Sequence, residues 1–135
     1  MWWDLTASRS DELLEAREQL AHALAEAKLA MLPADARQIT DGLQSIADML
    51  QVSLPGERGL KLYLAILSEI PAPLFRQACK RVATSHRYAR LPNPADFLDA
   101  VSEDMARARM HLTRLEATLK QLVKAEEKQR QARIA

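Results

Sequence analysis

Between Lys80 and Arg90 the chain places five groups that can carry positive charge, Lys80, Arg81, His86, Arg87 and Arg90, with Tyr88 set among them. Cations clustered in this way can contact phosphates while an aromatic ring stacks on a base. They are the candidate partner-binding residues, whether the partner is a protein or a nucleic acid. The ordinary alternative is a solvated turn in which Lys80 and Arg81 complement the C-terminal dipole of the preceding helix. A net charge of +1 for the whole chain is low for a typical nucleic-acid binder.

Other reactive residue types do not converge. Cys79, between Ala78 and Val82, reads as a buried small hydrophobe. As a nucleophile it would need a base, and His86 stands seven residues away. His22, His86 and His111 fall on different predicted segments, none with a second ligand at metal-binding spacing. Glu103-Asp104 and Glu126-Glu127 are adjacent pairs on helix turns, where carboxylates remain solvated charges. There is no Gly-rich phosphate loop, no GxSxG and no HExxH. The expectation is a chain that is not an enzyme and holds neither metal nor cofactor.

The elements that must position these residues are helical. Three glycines in 135 residues, and many Ala, Leu, Glu, Gln, Lys and Arg, favour helix throughout. The dominant stretch is Pro94 to Val123. Leu98, Val101, Met105, Ala108, Leu112, Leu115, Leu119 and Leu122 follow at alternating spacings of three and four, the a and d seam of a coiled coil. Asn93 suits the cap, Pro94 the first helical position and Asp96 the positive end of the dipole. With no later Gly or Pro, this helix is expected to span 93–130, leaving 131–135 as a tail.

Upstream, Met1 to Ala7 reads as an arm. Trp2 and Trp3 cannot both face one side, so one packs on the core edge or the two anchor a partner. A first helix over 8–32 starts at Ser8 or Ser10. Its stripe is Leu13, Ala16, Leu20, Ala23 or Leu24, Ala27 and Met31. Pro33 fits the first turn of a second helix, Ala34 to Gln51, and Pro55-Gly56 marks a turn. A third helix begins near Glu57 and breaks at Ile70-Pro71, and a fourth runs from about Pro73 to Ser85. Residues 33–92 therefore form a compact helical bundle flanked by long N- and C-terminal helices, one all-α domain in which Leu64, Leu67, Leu74, Ala78 and Val82 are buried together.

Charge divides unevenly: residues 1–40 carry four basic and seven acidic side chains, and residues 101–135 carry eight basic and five acidic. That polarity suits an intramolecular antiparallel pair of the first and last helices, or self-association. The length of the seam favours a homodimer: a first helix of about 34 Å would leave several turns of leucine uncovered. The single cysteine fits a reducing cytosol, Met1-Trp2-Trp3-Asp4 lacks a secretory pattern, and no apolar run could span a membrane. A cytoplasmic location is expected.

Residues 57 to 101 carry a recurring look. Leu60, Tyr63-Leu64, Leu67, Ile70-Pro71, Leu74, Ala78 and Arg81-Val82 lead into Arg90-Leu91-Pro92-Asn93-Pro94-Ala95-Asp96-Phe97-Leu98. This resembles the small phage and prophage replication proteins that load or inhibit a replicative helicase. The resemblance implies a small α-helical domain and an accessory role in DNA replication, binding a helicase or initiator to deliver or restrain it. Family members carry a flexible helicase-engaging tail, whereas here the tail reads as a heptad helix. Two other classes stay open: an oligomeric helical adaptor or phage structural protein, and a small DNA-binding regulator using Lys80, Arg81, Arg87 and Arg90.

Overall fold

A computed structural model describes residues 2–85 and 90–134, with residues 2–10 as backbone only. The described residues are all-α, in the order α1 (Trp2–Ala30), α2 (Ala36–Leu50), α3 (Glu57–Leu67), α4 (Ala72–Ser85) and α5 (Pro94–Ile134). Two compact units result, Ala30–Ala108, and Met1–Leu29 with Arg109–Ala135. The first half of α5 belongs to one and the second half to the other.

In the unit Ala30–Ala108, local chemistry sets each boundary. Pro33 is not in the first turn of α2, as the sequence suggested. It forms an isolated antiparallel bridge with Pro71, flanked by Ala34 N–H to Ile70 O and Ala72 N–H to Leu32 O. The cap falls instead on Asp35, whose side chain accepts from Gln38 N–H while Gln38 Oε1 accepts from Asp35 N–H, a reciprocal capping box. At the other end Gln51 adopts a left-handed conformation (φ 58°). There Gln51 N–H donates to Asp48 O and Val52 N–H to Ala47 O, the two bonds of a Schellman ending. Asn93 and Asp96 repeat the box at the start of α5, each accepting from the other's backbone N–H.

The core of this unit takes Ile39, Leu43 and Ile46 from α2, Leu67 from α3, and Phe75, Ala78 and Val82 from α4. Leu64 and Leu74, expected among them, are half-buried against it, as is Cys79. The bundle also extends past residue 92, because α5 contributes Phe97, Val101 and Met105 to the same core. Among the described residues Phe97 is the largest fully buried side chain, and its ring stacks on Phe75 at 6.3 Å between centroids. The flanking helix is therefore, in its first half, a member of the bundle.

The second unit is a helix hairpin. Residues 11–17 of α1 meet residues 126–133 of α5, and Arg17 pairs with Glu126 at 2.9 Å. On α1 the half-buried positions are Leu13, Ala16, Leu20, Ala23, Leu24 and Ala27. On α5 they are Leu112, Leu115, Leu119 and Leu122, continued by Glu126 and Gln129 at the same spacing. The α1 helix begins at Trp2 rather than at Ser8 or Ser10, and α5 runs to Ile134 rather than about Arg130. No Gly or Pro stands in either extension to stop it. Within the hairpin the second half of the seam is met by the chain's own first helix.

Candidate functional site

Among the described residues a groove of about 520 Å³ lies between α2 and α4, within the unit Ala30–Ala108. From α2 come Gln38, Asp41, Gly42, Ser45, Ile46 and Met49. From α4 come Ala72, Phe75, Arg76, Cys79, Lys80 and Ala83. Each set follows the spacing i, i+3, i+4, i+7, i+8, i+11, one full flank of a helix over three turns.

Small residues open the groove and large ones floor it. Gly42 lets the two helices approach: a Cβ there would lie 2.9 Å from Phe75 Cε1 and 3.1 Å from Cys79 Sγ. Buried Ile46 and Phe75 form the floor, and Ala72 and Ala83 leave the α4 wall low. Met49 lies at the rim with 54% of its surface exposed, a flexible apolar side chain suited to irregular partners. The rims carry opposite charge, Asp41 on α2 against Arg76 and Lys80 on α4. Burial pushes the Cys79 thiol up to about 11, so it stays protonated and contributes as an apolar wall.

The predicted basic cluster divides. Lys80 is exposed on the groove rim. Arg81 points to α5, where its Nη1 donates to Ala100 O at 2.7 Å and to Asp104 Oδ2. Arg107 Nη2 holds the other oxygen of Asp104 at 2.9 Å. The hydrogen bond from Arg81, reinforced by Arg107, keeps the Asp104 carboxyl below the usual carboxylate range. Arg81 is thus a clasp between α4 and α5. Arg90 is exposed, and acts electrostatically on Tyr63. Tyr63 Oη donates to Pro92 O at 2.9 Å, tying α3 to the start of α5. Burial and the nearby Asp96 raise the Tyr63 pKa, with Arg90 opposing. His86, Arg87 and Tyr88 lie outside the described residues.

The proposed oligomerisation residues divide as well. Val101 and Met105 are buried and Leu98 and Ala108 half-buried in the bundle unit, whereas Leu112, Leu115, Leu119 and Leu122 line the hairpin. His22 pairs with Glu26 at 3.1 Å on an exposed turn, and His111 is exposed. Among the described residues no group of His, Cys, Asp or Glu could hold a metal ion, and no helix is long and apolar enough to cross a membrane.

Sequence reasoning missed the groove because its α2 wall is polar, so no apolar stripe announces it. The available signal was Gly42, a helix-weakening residue in the middle of a predicted helix, which marks a close approach. Compared with protein families, curated proteins and solved structures, the chain matches none of them.

Proposed function

We propose that this chain is a replication accessory protein that binds a replicative helicase or initiator and loads or restrains it, docking its partner in the α2–α4 groove. The observation that carries the docking surface is the matched three-turn flanks of the two helices, with an apolar floor and rims of opposite sign. Such a groove takes one amphipathic helix, its apolar face on Ile46, Phe75 and Met49 and an acidic edge along Arg76 and Lys80. The partner class comes from the resemblance in residues 57–101, which spans α3, α4 and the capped start of α5. The clasp of Arg81 onto Asp104 removes one cation from the set a DNA-binding regulator would use, which favours a protein partner.

The test is capture from a bacterial lysate, identified by mass spectrometry, with the intact chain beside Met49→Glu combined with Arg76→Glu. Both residues are exposed, so the variant should melt within a few degrees of the parent. The intact chain should retain a replicative helicase or initiator, and the variant should lose it. Capture of no replication protein would overturn the partner class. Undiminished capture by the folded variant would overturn the groove as the docking surface.

A further inference from the structure

The geometry points to a second copy of this chain as the partner of the hairpin: two α1–α5 hairpins pack as an antiparallel four-helix bundle, with Arg17 and Glu126 forming one polar layer shared by both chains. The inference is independent of the groove.

Three observations carry it. First, among the described residues of the hairpin none is fully buried; every buried core side chain belongs to the other unit. Leu13, Leu20, Leu112, Leu115, Leu119 and Leu122 are each only half-covered. Two helices can cover each other's seam on one side alone, and a second pair completes it.

Second, the two helices are of opposite sign. Over 11–30, α1 carries five acidic and two basic side chains; over 109–134, α5 carries seven basic and three acidic. When a two-fold axis runs parallel to the helices, each α1 neighbours its own α5 and the partner's α5, all antiparallel, with like-charged helices across the diagonal. The charges select that arrangement over one that places α1 against α1.

Third, Glu126 stands at a seam position with only 15% of its side chain exposed, and one of its two oxygens has no hydrogen-bond partner. Arg17 Nη1 satisfies Oε2 at 2.9 Å. The Arg17 side chain remains 45% exposed, with further N–H donors to offer. Across the two-fold, the second copy's Arg17 reaches the unpaired oxygen, closing a ring in which Arg and Glu alternate. One such layer within a leucine seam fixes register and partner number.

Sedimentation equilibrium of the full chain should give twice the 15.2 kDa chain mass at about 10 micromolar, where a dimer of micromolar Kd is largely formed. A monomer there would overturn the inference. Arg17→Glu and Glu126→Arg should each sediment as monomers, since each fills the ring with like charge. Mixed in equal amounts they should recover the double mass, because the two carboxylates of one variant then face the two guanidinium groups of the other. A mixture that stays monomeric while both variants keep the helical circular dichroism of the parent would show the layer to be confined to one chain. Arg17→Leu with Glu126→Leu covers the case in which charge reversal unfolds the hairpin: it should remain a dimer or larger, and a monomer would overturn the proposal.

Discussion

Replacing Gly42 by Ala sets two opposed effects against each other at the crossing of α2 and α4. In mid-helix, Ala is favoured over Gly by about 0.8–1 kcal/mol. The added methyl, however, would stand 2.9 Å from Phe75 Cε1, 3.1 Å from Phe75 Cζ and 3.1 Å from Cys79 Sγ. The Phe75 ring cannot swing aside: it is buried and stacked on Phe97, itself fully buried. Overpacking of this kind costs about 1–3 kcal/mol, so Gly42→Ala should destabilise by about 1 kcal/mol net. In a Phe75→Leu background the two ring atoms are gone, and the same substitution should become neutral or stabilising. The reversal is read from urea or thermal unfolding of the four proteins of the cycle, with a coupling of about 0.5–3 kcal/mol between the sites. A Gly42→Ala chain more stable than the parent by the full helix-propensity gain, or a coupling near zero, would refute close packing at this crossing.

Leu67→Ala should lose about 2–5 kcal/mol and Phe97→Ala about 3–5 kcal/mol, because both side chains are fully buried; losses under about 1 kcal/mol in urea unfolding would place them outside the core. Asp104→Asn should lower the melting temperature at neutral pH but not in strong acid. The folded carboxyl titrates below the ordinary value of 3.8, so its contribution is present above that value and is lost as pH falls through the lower folded value. A gap between variant and parent that stayed constant across this range would contradict the Arg81 clasp. With its thiol pushed up to about 11, Cys79 should alkylate much more slowly at pH 8 in the folded chain than in urea; equal rates would show an open, ordinary thiol.

Much of the fold is local, and local chemistry is legible in a linear sequence. The helix-favouring composition, the Pro55-Gly56 turn and the Asn93-Pro94-Ala95-Asp96 start depend on neighbours a few residues away, so α3, α4 and the opening of α5 lie where spacing and capping place them. The stripe of α1 and the seam of α5 were likewise readable, because periodicity reports which face is apolar. Which surface covers that face is a tertiary matter. Leu98 to Leu122 form one uninterrupted seam in sequence, yet its first half packs with Phe75 and Leu67 in a bundle core and its second half meets α1. Arg81 looked like part of a recognition cluster because charge density along the chain does not reveal where a side chain points; the approach of α4 to α5 turned it onto Asp104. The groove depended most on tertiary structure. Its walls come from helices more than twenty residues apart in sequence, and its depth depends on what Gly42 lacks, a side chain between α2 and the Phe75 ring.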